Sequence, residues 1–118
     1  MKKRNIGRLG ENIAADYLRD CGYQILAMNY TAKCGEIDII AKHEDLIVFV
    51  EVKTRKNSLY GTAAQAVDYR KQKKIIRTAY LYITLQQYDV SYRFDVIEIY
   101  YNFFGQYKLN HIEGAFEV

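Results

Sequence analysis

A chain of 118 residues, half of them apolar and 26% charged, suffices for one domain with a single core and no covalent staples. No run approaches the roughly 18–20 apolar residues of a membrane span, and no apolar segment follows the basic start as it would in an export signal. Two cysteines, Cys21 and Cys34, give neither a disulfide framework nor a paired zinc-ligand spacing, so a cytoplasmic protein with reduced thiols in its core is expected.

Ile6, Leu9, Ile13, Ala14, Tyr17, Leu18 and Cys21 recur at intervals of three and four, the stripe of an amphipathic helix over residues 6–21, which Gly22 ends. Residues 23–30 are rich in strand formers, and 31–35 read as a turn. Residues 37–41 and 46–54 are strongly β-prone, and the polar His43-Glu44-Asp45 between them predicts an antiparallel hairpin. On the second of these strands Leu46, Val48, Val50 and Val52 share one face, and Ile47, Phe49, Glu51 and Lys53 the other. Both faces are apolar as far as Val50, so the strand is central, where a Glu and a Lys are costly without a role. Residues 63–86 lack Gly and Pro and predict a long helix, with residues 92–101 and 107–112 as two further strands about a turn at 102–105. The expected order is α-β-β-β-α-β-β in one domain spanning 1–118.

Charge is unevenly placed within a net +3. Lys2, Lys3, Arg4 and Arg8 open the chain, and Arg55, Lys56, Arg70, Lys71, Lys73, Lys74 and Arg77 crowd its middle. A basic run is commonly a solvated helix face, but beside an acidic centre it suits a polyanion such as DNA. Arg55, Arg70, Lys71, Lys73, Lys74 and Arg77 are therefore candidate phosphate contacts. The twelve tyrosines mostly follow the periods of their elements. Tyr60, between the central strand and the basic helix, is a candidate for stacking on a base. His43 and His111 have no companions that would make a ligand set.

Twelve residues separate Asp38 from Glu51, and Lys53 follows two further on. A hairpin turning about Glu44 sets Asp38 opposite residue 50, so the carboxylates of Asp38 and Glu51 approach across adjacent strands. Two such groups repel when both are ionised, and a divalent cation relieves that repulsion. Hard oxygen donors suit Mg²⁺ or Mn²⁺, with the Val52 carbonyl as a third protein ligand. An ammonium at Lys53 would orient the attacking water and stabilise charge growing on a phosphate. The spacing alone equally allows a plain strand salt bridge between Glu51 and Lys53, with Asp38 ending a turn.

Gly10-Glu11 on the first helix, Gly35-Glu36-Ile37-Asp38-Ile39-Ile40, Val50-Glu51-Val52-Lys53-Thr54-Arg55, Arg70-Lys71 and Arg93-Phe94-Asp95-Val96, taken in this order, resemble the YraN-like protein family. The resemblance covers about residues 7–99. It implies a restriction-endonuclease-like fold of the PD-(D/E)XK superfamily, a central mixed β-sheet flanked by helices, similar to archaeal Holliday-junction resolvases. It further implies that Asp38 and Glu51 bind metal, that Lys53 is the catalytic lysine, and that Glu11 is an additional acid directed at the same metal. Glu36-Ile37-Asp38 replaces the Pro-Asp of the superfamily's name, as in the YraN-like proteins. Gln65 and Tyr69 match the Q-x-x-x-Y signature of RecB-type nucleases. The expected function is a Mg²⁺- or Mn²⁺-dependent endonuclease acting on branched or structured DNA in repair or recombination, with a homodimer left open. Its rival is a non-catalytic nucleic-acid-binding or scaffold domain that retains the fold.

Overall fold

The computed structural model describes residues 3–56, 67–86, 89, 91–102 and 104–118, with side chains from Arg8 onward. Tyr60 and Gln65 lie outside the described residues, as do Lys2 and the side chains of Lys3 and Arg4. The elements run α1 (Lys3–Asp20), β1 (Gln24–Ala32), β2 (Gly35–His43), β3 (Leu46–Arg55), α2 (Tyr69–Gln86), β4 (Ser91–Tyr101) and β5 (Tyr107–Phe116). The five strands form one sheet in chain order. Only β3 and β4 are parallel, and α2 supplies the crossover that a parallel pair requires. This is a mixed α/β architecture with the order expected from sequence. No helix among the described residues is long and apolar enough to cross a membrane.

Each helix covers one face of the sheet. Ala14, Ala15 and Leu18 of α1 pack on Ile39, Ala41, Val48, Val50, Ile97 and Ile99. Ile75, Ala79 and Tyr82 of α2 pack on Ile40, Ile47, Phe49, Phe94 and Val96. The strict two-residue period of β3 sends Val48 and Val50 to α1 and Ile47 and Phe49 to α2. Glu51 and Lys53 consequently lie on the α2 side.

Local chemistry sets the helix ends. After α1 the Tyr23 N–H donates to the Leu18 carbonyl at 2.9 Å and the Gly22 N–H to that of Arg19 at 3.0 Å. This Schellman closure needs the left-handed backbone that Gly22 adopts, φ 93°. The closure leaves Cys21 exposed, correcting its expected place in the core: it stands past the last helical turn, where the stripe no longer faces the sheet. Cys34 is half-buried, its Sγ 3.4 Å from Thr78 Oγ1. The second helix runs from Tyr69 and is preceded by Val67 and Asp68, which are not helical; residues 63–66 of the expected helix lie outside the described residues. Asp68 acts as its N-cap, accepting from the Lys71 N–H at 2.9 Å, and a capping residue is itself non-helical.

A defect in β1 and β2 shapes the sheet edge. The β1–β2 ladder pairs Met28 with Ile39 and Tyr30 with Ile37 but skips Asn29 and Asp38, and Asn29 is left-handed at φ 52°. Across the skip the faces exchange: Met28 and Ile39 pack towards α1, whereas Tyr30 and Ile37 pack towards α2. The β2–β3 ladder runs from His43↔Leu46 to Ile39↔Val50 and pairs no residue before Ile39. Towards Gly35, therefore, β2 and β3 separate, and the gap opens at Asp38.

Candidate functional site

The gap determines how Asp38 is used. With β2 leaving the ladder, the Val52 N–H loses its strand partner, and the Asp38 carboxylate accepts from it at 2.8 Å. A strand residue directs its N–H and C=O to the same edge, so the Val52 carbonyl also faces the gap. Glu51 is the in-register continuation opposite Asp38, because the hairpin loop is Glu44-Asp45 and the register sums to 89 from Ile39↔Val50. Sequence spacing set residue 50 there; the two-residue loop, with Glu44 at φ 54°, moves the match by one.

Glu51 is only 5% exposed and is held by two ammonium groups, with Lys71 Nζ at 2.6 Å and Lys53 Nζ at 3.7 Å from the same Oε1. Burial, then the neighbouring Glu51 charge, push the Asp38 carboxyl up to about 7, against the Val52 N–H and Lys71, which pull it down. Glu11 adds to the upward push. Burial first, and then Lys71, lower the Lys53 ammonium. At Lys71 burial acts downward too, but the hydrogen bond and charge of Glu51 outweigh it and raise its pKa. Two acids and two lysines thus act on one another in a partly desolvated cluster.

Asp38 and Glu51 line a concavity of about 440 Å³ together with Gly35, Glu36, Arg70, Lys71 and Lys74. Gly35 lets α2 lie close to the start of β2, since a Cβ there would stand 3.1 Å from Thr78 Oγ1 and 3.3 Å from Lys74 Cβ. Gly10 does the same for α1, as a Cβ would collide with Thr54 Oγ1. That close approach brings the half-buried Glu11 near enough to act on Asp38 by charge.

Among the described residues no three His, Cys, Asp or Glu side chains form a ligand cluster. The donor set facing the gap is the Asp38 and Glu51 carboxylates and the Val52 carbonyl. All are hard oxygens, a donor set that fits a small divalent cation keeping several waters.

The basic candidates divide by location. Arg70 and Lys74 are exposed at the rim of the concavity, and Arg77 is exposed one turn on from Lys73 and Lys74. Lys73 lies 4.6 Å above the Tyr69 ring, and Tyr69 is itself 69% exposed and not among the residues lining the concavity. Arg55 faces inward, its Nε 3.3 Å from Glu98 Oε2. Lys71, expected on phosphate, instead reaches Glu51.

Sequence reasoning missed a second buried acid centre. Asp95 is fully buried and accepts from Arg93 Nε at 2.7 Å, Arg93 Nη2 at 2.8 Å and the Gly114 N–H at 3.0 Å, with His111 Nε2 at 2.7 Å. Tyr17 OH stands 3.0 Å from His111 Nδ1, and Arg93 Nη2 donates to Tyr23 OH at 3.0 Å. Burial works to raise the Asp95 carboxyl, but hydrogen bonds from His111, Arg93 and Gly114 outweigh it and hold it below the ordinary range. The signal was present: Asp95 and Glu98 interrupt an apolar strand, the anomaly that also singled out Glu51.

Comparison with known proteins finds relatives that match nearly the whole chain. A UPF0102 protein of Clostridium botulinum is 47% identical over 118 residues, covering 98% of this chain and 96% of its own. A UPF0102 protein of Caldanaerobacter subterraneus subsp. tengcongensis is 45% identical over 119 residues, covering 98% of each. The profile described as Uncharacterised protein family UPF0102 matches residues 10–99, a span that begins at the glycine packed on Thr54 and ends within β4. Both carboxylates of the gap, both lysines on Glu51 and the α2 rim lie inside that span, and the chain belongs to the UPF0102, or YraN-like, family.

Proposed function

We propose that this protein is a metal-dependent endonuclease of the restriction-endonuclease-like type, hydrolysing phosphodiester bonds of structured or branched DNA. One observation carries the proposal: the sheet parts at Asp38, so that Asp38, Glu51 and the Val52 carbonyl surround one gap with Lys53 and Lys71 beside them. Asp38, Glu51 and Val52 would hold a Mg²⁺ or Mn²⁺ ion, with Glu11 acting on it from α1 by charge. When bound, such an ion supplies Lewis acidity at the phosphate and lowers the pKa of water.

The protein's own groups do the rest. Lys53, 26% exposed and on the face of Glu51, directs an ammonium at the phosphate, where it stabilises charge that develops during attack. Arg70 and Lys74 hold flanking phosphates without reading bases. Val52 N–H fixes the Asp38 carboxylate in one rotamer, so the acid need not reorganise as charge arrives.

Purified protein incubated with linear, single-stranded, flapped and four-way DNA, with Mg²⁺, with Mn²⁺ and without metal, tests this directly. Metal-dependent cleavage of at least one substrate, lost in Lys53→Ala while DNA affinity stays near wild type, is the expected result. Binding of DNA without cleavage under every condition would favour a scaffold domain that keeps the nuclease fold.

A further inference from the structure

We propose that Lys71 is an internal counter-ion that occupies Glu51 in the metal-free protein, competes there with the divalent cation, and turns to the substrate phosphate once displaced. This role rests on the assignment of Asp38 and Glu51 as ligands of that cation. A glutamate 5% exposed needs a charged partner, and its own strand offers only Lys53 at 3.7 Å. Lys71 makes the closer contact, at 2.6 Å, and comes from a different element.

Its backbone is anchored by hydrogen bonds, whereas its side chain is held at its tip alone, by the contact with Glu51. The Lys71 N–H is bound by Asp68 Oδ1 at 2.9 Å, the following Gln72 N–H by the Asp68 carbonyl at 2.9 Å, and Gln72 Nε2 donates to the Val67 carbonyl at 2.8 Å. The side chain is a four-carbon stem, 42% exposed, that lines the same concavity as Arg70 and Lys74. An ammonium and a divalent ion at the same carboxylate repel, so an ion held by Glu51 would compete with Lys71 for that carboxylate. Displacement moves the ammonium into the concavity, where a phosphate would lie beside Arg70 and Lys74. Lys71 differs in this from Lys74, which pairs with no carboxylate among the described residues.

The test is calorimetric titration of Mn²⁺ into wild type, Lys71→Gln and Lys71→Arg, followed by cleavage at saturating metal. Gln keeps a donor for Glu51 and removes the charge, so the fold is retained; Lys71→Met repeats the charge removal without the donor. Removing a unit charge beside the ion should tighten Mn²⁺ binding about tenfold, with Lys71→Arg near wild type and cleavage slowed in Lys71→Gln. Metal binding by Lys71→Gln but not by wild type would support the competition in its extreme form. Binding by wild type with equal or weaker affinity in Lys71→Gln and Lys71→Met overturns the role of Lys71 and leaves the metal site intact. No binding by any of the proteins overturns both.

Discussion

Two buried acid centres lie on opposite faces of this sheet and are built in opposite ways. Asp95, on the α1 side, has every lone pair committed: a bidentate arginine, a histidine and a backbone N–H converge on it. Even its place in the ladder serves this, because the β4–β5 register shifts between Phe94 and Val96 and Gly114 turns at φ 60° to aim its N–H at the carboxylate. Asp38, across the sheet, has one N–H and a second carboxylate as neighbour. One acid is pulled below its ordinary pKa and the other is pushed to about 7. A satisfied acid ties elements together, whereas an acid held against its own charge is a candidate functional group, here the proposed cation ligand.

Substitution should separate the two most sharply through stability. Asp95→Ala leaves Arg93 and His111 without their buried partner and should cost about 3–5 kcal/mol, read from urea unfolding. Asp38→Asn keeps an acceptor for the Val52 N–H and removes a repulsion, so the metal-free protein should be unchanged or more stable by on the order of 1 kcal/mol. Equal losses in both would erase the distinction.

The next effect in size comes from α1. Gly10→Ala must rotate Thr54 or lift the helix from β3, costing about 1–3 kcal/mol as overpacking does. Lifting α1 also moves Glu11 from Asp38, so cleavage should fall by more than the stability loss accounts for. Thr54→Ser with Gly10→Ala relieves only part of the crowding, because the hydroxyl remains.

Stability should also respond to pH with opposite slopes at the two centres. The Asp38 carboxyl is about 7 in the fold against 3.8 ordinarily. Between those values the folded state holds a proton that the unfolded state has lost, so metal-free stability falls as pH rises through this window and stays reduced above it. Asp95, held below 3.8, contributes stability present above that value and lost as pH falls through its folded pKa. Unfolding measured from pH 3 to 8 should therefore lose its decline between about 4 and 7 in Asp38→Asn only.

The smallest effects belong to the exposed rim. If Arg70 and Lys74 each contact a phosphate, Arg70→Ala with Lys74→Ala should reduce the slope of log K against log salt by about two, and Lys73→Ala, stacked on Tyr69, by less than one. An unchanged slope in the double variant would return α2 to an ordinary solvated face.

Much of this arrangement was legible in the sequence, and the limits are physical. Alternation along residues 46–53 assigned these side chains of β3 to their correct faces, because period two admits no drift along a regular strand. The hairpin match was off by one, since loop length, which sets register, depends on the left-handed turn at Glu44 that composition does not reveal. The break at Asn29 and Asp38 is likewise invisible, although it opens the gap. Lys71 and Arg55 read as phosphate cations because a one-dimensional charge run cannot say which of its members meet a buried acid. His111 looked isolated for the same reason, its partners lying 16 and 94 residues away.

Calorimetric titration of Mn²⁺ into wild type and Asp38→Asn tests the central claim most directly, since that substitution removes one ligand charge while leaving the acceptor for Val52 N–H in place. One site per chain in the wild type, weakened by about 10–100-fold or more in Asp38→Asn, is the predicted result. Equal affinity in the two proteins would place any metal elsewhere and leave the Asp38–Glu51 pair without the role assigned to it.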